Sequence, residues 1–140
     1  MNQYKRTEDI LHNYKTIKAE IKNILIEIED IENSYRGVKG VSYDDMPKAH
    51  NISSSVENEI EQKEKKIEYL SQLVIKKENQ IKRIDNALET LTDSEYKIIK
   101  YRYFDKISNR KLAEILDLTE QNTSIIKSKI INKISKLIFF

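Results

Sequence analysis

The side chains with the most specific chemistry lie near the end of the chain. Glu120, Gln121, Asn122, Ser124, Ile125, Lys127 and Ser128 fall on the outward side of a helical pattern. Its inward stripe is Thr123, Ile126, Ile130, Ile134 and Leu137. Glutamine and asparagine amides match the paired donor and acceptor of adenine, glutamate accepts from the cytosine amino group, and an apolar side chain meets the thymine methyl. Asn109, Arg110 and Lys111 open the preceding helical pattern and are suited to hold phosphates. Charge points the same way. Gln121 to Phe140 contains lysines 127, 129, 133 and 136 and no acid, and Tyr96 to Lys111 has six basic residues against Asp105 alone. Such a surface suits a polyanion.

Three short helices must position these groups. Thr92 and Glu95 have the spacing of a capping box, in which each side chain satisfies a backbone N–H at the start of a helix. That helix is expected to run to about Phe104 and to stop in Asp105-Lys106-Ile107. Ser108 can cap a second, Asn109 to Leu116, with Leu112, Ile115 and Leu116 on its apolar side. After a tight Asp117-Leu118, Thr119 can cap the third. Two short helices joined by so tight a turn are the helix-turn-helix arrangement, whose second helix enters a major groove. The competing reading is a plain three-helix bundle with a solvated lysine face.

Residues 92–140 carry 10 basic and 6 acidic side chains (+4), whereas 1–91 carry 15 and 17 (−2). The chain has 140 residues, 34% of them charged, with two glycines and one proline, a composition that favours long helices. Ile10, Tyr14, Ile17, Ile21, Ile24, Ile28, Ile31 and Tyr35 are spaced alternately by four and three, which predicts a helix over about 4–35 with a coiled-coil seam. A second run, Val56, Ile60, Lys63, Ile67, Leu70, Val74, Lys77, Ile81, Ile84, Leu88 and Leu91, predicts a helix over about 54–91. Between them, residues 36–53 hold Gly37, Gly40, Asp44, Asp45 and Pro47 and read as a loop. An antiparallel hairpin would bring Ile31 near Ile60, Ile21 near Leu70, Ile10 near Ile81 and Lys77 near Tyr14. Pairing of the helices between chains, and hence a homo-oligomer, is equally open. Leu11, Leu25 and Ile26 add apolar surface beside the seam. The expected architecture is all-α: a long N-terminal coiled-coil helical hairpin over 1–91, then a small helix-turn-helix bundle over 92–140.

Other chemistry is missing. No glycine-rich phosphate loop occurs, and there is no cysteine. His12 and His50 stand far apart, with no further histidine or cysteine at ligand spacing. Tyr96, Tyr101, Tyr103 and Phe104 could stack on bases, but beside Ile98 and Ile99 they read as core. No catalytic constellation, metal site or cofactor is expected, and no apolar run is long enough for a membrane span.

Leu91-Thr92-x-x-Glu95, Arg102-Tyr103 before the first turn, and Leu112-Ala113-Glu114-Ile115-Leu116 resemble the fourth region of primary-type sigma factors. The resemblance implies that Glu120, Gln121, Asn122, Ser124, Ile125 and Ser128 contact bases in double-stranded DNA. It also implies RNA polymerase as a partner. Such factors usually carry arginines on the recognition helix; here none follows Arg110. With the hairpin and Tyr43-Asp44-Asp45-Met46-Pro47, the whole chain resembles phage transcriptional regulators of the ArpU/RinA type, which implies a regulator of late genes in the cytoplasm of a bacterial host. A DNA-packaging adaptor akin to a small terminase subunit, and a coiled-coil protein that binds protein alone, are the other two readings.

Overall fold

The structure is a computed structural model that describes residues 2–39 and 50–140, and of residues 35–39 and 50–54 the backbone alone. The described residues are all-α, with a helical hairpin in the N-terminal part and a C-terminal helical bundle. Six α-helices follow in order: α1 (Gln3–His12), α2 (Tyr14–Lys39), α3 (His50–Leu88), α4 (Asp93–Ile99), α5 (Asn109–Leu116) and α6 (Glu120–Ile138), with a π-helical turn at Lys100–Phe104. None of these helices is long and apolar enough to cross a membrane.

Helical residues reach into both ends of the expected loop over 36–53. Helix α2 continues through Gly37 to Lys39 and α3 begins at His50. Gly40, Tyr43, Asp44, Asp45, Met46 and Pro47 lie outside the described residues.

The expected single helix over 4–35 is interrupted at Asn13. This residue adopts φ −92° and ψ 2° between α1 and α2, although Asn13 N–H still reaches Asp9 O at 3.0 Å and Ile17 N–H reaches Asn13 O at 2.8 Å. The hydrogen-bond ladder therefore bends at this point without a gap. Asparagine is among the weaker helix formers, so the bend falls where helix propensity resists it little.

The interruption changes what the first helix belongs to. Residues Met1–Lys18 and Asn79–Phe140 form one compact unit, and Ala19–Glu78 form a second. The boundary expected at 91/92 is thus not where the structure divides. In the first unit α1 packs against α6 and the π turn. Thr7, Ile10 and Leu11, spaced as one helical stripe, are buried. Arg6 stacks its guanidinium 4.2 Å from the centre of the Phe139 ring, and Gln3 Nε2 donates to Phe139 O at 3.1 Å. The rest of this core includes Ile17, Ile81, Ile84, Ala87, Leu88, Ile98, Ile99, Tyr103, Phe104, Leu112, Ala113, Ile130, Ile131, Ile134 and Ile138.

In the second unit α2 and α3 run antiparallel, joined by the ion pairs Glu27–Lys66 (3.5 Å) and Glu20–Lys77. Ile31 and Val74 are buried, whereas Ile21, Ile24, Ile28, Ile60, Ile67 and Leu70 are half-buried. Two helices alone cover only one side of each seam residue. Lys63 is half-buried and pairs with Glu59 on its own helix. Lys77, expected beside Tyr14, pairs with Glu20 within its own unit. In the first unit Tyr14 donates to Asp85 Oδ1 at 2.6 Å, stacks on Phe104 at 4.6 Å and carries the Lys18 ammonium over its ring. Burial and then the Asp85 carboxylate push the Tyr14 hydroxyl well above its ordinary range.

Candidate nucleic-acid interface

The interface is built on three caps that the sequence specifies locally. Thr92 and Glu95 form the reciprocal capping box at α4. At α5, Ser108 Oγ accepts from Lys111 N–H at 3.2 Å, and at α6 Thr119 Oγ1 accepts from Asn122 N–H at 3.1 Å. Between α5 and α6 the chain reverses at Asp117, which takes a left-handed conformation (φ 55°, ψ 45°). Leu118 N–H then reaches back to Ala113 O at 3.0 Å, and Asp117 N–H to Glu114 O at 3.2 Å. This is the Schellman closure, in which glycine is the usual left-handed residue. An aspartate holds the position here.

Upstream, the π turn buries Tyr103 and Phe104. Tyr101 is half-buried and Tyr96 is 40% exposed, so only two of the four aromatics are fully core residues. Asp105 N–H closes the turn on Lys100 O at 2.9 Å, and Lys106 follows with φ 59°. From this turn Arg102 Nε donates to Asn109 Oδ1 at 2.8 Å, which ties the end of the first helical segment to the start of α5.

Helix α6 is covered on two flanks. One faces the rest of the helix-turn-helix through Thr123, Ile126, Ile130 and Ile134, as expected. The second was not expected. Lys127 Nζ meets Glu8 Oε2 of α1 at 3.8 Å, and the Ser128 and Tyr4 hydroxyls are 3.2 Å apart. Ile131, Ser135 and Ile138 continue that line at helical spacing and are buried, whereas Leu137, assigned to the inward stripe, is 47% exposed. On α5, Leu112 and Ala113 are buried and Leu116 half-buried, whereas Ile115, assigned to the apolar side, is 45% exposed.

Lys127 therefore does not face outward. It is 8% exposed, and burial, reinforced by the Arg102 charge and opposed by Glu8, holds its ammonium below the ordinary lysine range. The same Glu8 carboxylate accepts from the Tyr103 hydroxyl at 2.8 Å. Burial and Glu8 push that hydroxyl well above the ordinary tyrosine range. At the end of α1, His12 lies edge-on to Tyr103 with ring centres 4.8 Å apart, and Lys106 donates to His12 O. Burial, then Lys106 and Arg102, lower the His12 pKa from its ordinary value.

The remaining expected contact residues divide. Glu120, Gln121, Asn122, Ser124 and Ile125 are exposed on α6, as are Arg110 and Lys111 at the start of α5. Lys111 also pairs with Glu114 at 3.6 Å. Asn109 is half-buried and engaged by Arg102, which makes it a brace of the turn. Ser128 is half-buried at the border with α1. Lys129, expected only as part of the basic surface, and Asn132, which was not expected to contribute, are exposed and line one open depression with Gln121, Ser124, Ile125 and Ser128. Their signal was present: 121, 125, 128, 129 and 132 repeat at helical spacing, and only the choice of face was off.

A capped scaffold helix, a tight left-handed turn and a second helix with one free polar strip define a helix-turn-helix domain. Residues 87–136 match the family model described as Sigma-70, region 4, which is a DNA-binding domain of this class. No curated protein and no solved structure matches the chain.

Proposed function

We propose that this protein is a sequence-specific double-stranded DNA-binding transcriptional regulator of phage or prophage late genes. It reads its site with α6 and acts by recruiting or remodelling the host RNA polymerase, without chemistry of its own. The observation that carries the reading is the free strip of α6, rich in amides and hydroxyls, set directly behind the capped turn. Arg110 and Lys111, exposed at the start of α5, and Lys129, exposed on α6, can hold phosphates. The Sigma-70 region 4 match supports both DNA and polymerase as partners. The finer assignment, an ArpU/RinA-type late-gene regulator, rests on the resemblance of the whole chain.

Selection of bound duplexes from a random pool at physiological salt tests the reading, followed by transcription from a template carrying the enriched site. An enriched motif that responds to the protein is the expected result. Salt-sensitive binding with no enriched motif would overturn it. A packaging adaptor is the second reading. Leu25, Ile26, Tyr69 and Ile75, exposed on the hairpin, favour the self-association that such a ring requires. Rings in native mass spectra, with an enriched motif that leaves transcription unchanged, would select it.

A further inference from the structure

The free strip of α6 has an unusual composition for a groove-reading surface. Its depression is lined by Gln121, Ser124, Ile125, Ser128, Lys129 and Asn132, and the first turn of it, from Gln121 to Ile125, carries amides, a hydroxyl and a branched hydrocarbon but no charge. The bidentate reader of guanine is a cation, arginine or lysine, aimed at O6 and N7. The cations of α6 lie outside that first turn. Lys127 is buried against Glu8, and Lys133 is held by Glu95 at 3.5 Å. Lys129 lines the same depression one turn after Ile125, and Lys136 is near the C-terminal end, so neither lies in the first turn that leads into the groove. Helix α6 contains no arginine. Glu120, the residue suited to cytosine, is about a quarter-turn off the strip.

What remains matches one kind of base pair. The Gln121 amide offers the donor and acceptor that adenine N7 and N6 require. Ile125, 48% exposed, has no hydrogen-bonding group and offers only hydrocarbon. The only apolar group displayed in the major groove is the C5-methyl of thymine. One helical turn separates Ile125 from Gln121, so the two side chains meet neighbouring steps of the duplex.

We infer that the reading strip of α6 recognises A·T steps in the major groove, with Ile125 packed on a thymine methyl and Gln121 paired with a neighbouring adenine. This assignment deepens the DNA-reading proposal and rests on it. The test uses the full chain and the duplex enriched from the random pool. Each thymine is replaced in turn by uracil, which removes the methyl and leaves every hydrogen-bonding group in place. At one position the wild-type protein should lose about fourfold in affinity, the weight of one buried methyl. Ile125→Ala, a change at an exposed position, should bind the thymine and uracil duplexes equally, and Ile125→Val should keep the preference. A motif whose central pairs are G·C, or uracil tolerated at every position by the wild type, would overturn the A·T assignment and leave DNA reading intact. An unenriched pool would overturn both.

Discussion

Removing the carboxylate of Glu8 is the sharpest probe of how the N-terminal helix supports the recognition helix. Glu8→Ala takes away the acceptor of the Tyr103 hydroxyl, a hydrogen bond of 2.8 Å, and the carboxylate paired with Lys127. A hydrogen bond to a charged group contributes about 1.5–3 kcal/mol. Breaking a buried ion pair from one side costs about 3–5 kcal/mol, because the remaining charge is stranded. The two figures share one carboxylate and do not add. The pair is also long, and the Glu8 side chain is 17% exposed, so the lower end applies. We expect a loss of about 3 kcal/mol in urea unfolding of the full chain at pH 7. Lys127→Met leaves the Glu8 carboxylate in place, but that group keeps the Tyr103 hydroxyl as a donor and reaches solvent, so the loss should be smaller, about 1–2 kcal/mol. In Glu8→Ala the stranded ammonium can escape by losing its proton. Its folded pKa lies below its unfolded one, so the unfolded chain binds more protons and stability rises with pH. The Glu8→Ala deficit should therefore shrink from pH 7 towards pH 10. A deficit under about 1 kcal/mol, or an equal loss in Lys127→Met, would refute the account of Lys127 as a buried structural charge.

The same placement separates two lysines in DNA binding. Lys129→Ala should weaken all duplexes and lower the salt slope by about one, whereas Lys127→Met should leave the slope unchanged, as read by fluorescence anisotropy across a salt series. Gln121→Ala should cost about 1–3 kcal/mol at one position of the selected site and little on random DNA. His12, whose pKa is lowered in the folded state, contributes stability that is present above its unfolded value and lost as pH falls through that value towards the folded one. Thermal unfolding of wild type should therefore weaken more than that of His12→Gln between pH 7.5 and 5.5. Asp117→Gly should raise stability by about 0.5–1 kcal/mol in chemical denaturation, because a left-handed residue with a Cβ is strained.

Much of the interface was legible in the sequence because its determinants are local. The caps at Thr92, Ser108 and Thr119 each act within a few residues, and the structure places each where spacing alone put it. The all-α class and the antiparallel hairpin follow from long apolar periodicities broken at few points. A helical period, however, says only that a helix has an apolar side, and not which partner covers it. The run from Ile10 to Tyr35 reads as one uninterrupted seam. Nothing in that spacing shows that Asn13 bends the chain, or that Thr7, Ile10 and Leu11 are buried in the unit that contains α6.

That tertiary choice decided the fate of the recognition helix. With one covered flank, Lys127 would face solvent beside Ser128 and act as a phosphate ligand. With α1 on the second flank, the same lysine is buried against Glu8, 119 positions away in sequence. The free surface shrinks to the strip through Gln121, Ile125 and Asn132. The sequence by itself determined where α6 begins and which side chains it carries. Only the packing of α1 determined which of them face solvent, because the cost of leaving Thr7, Ile10 and Leu11 in water depends on a surface that exists only in the folded chain.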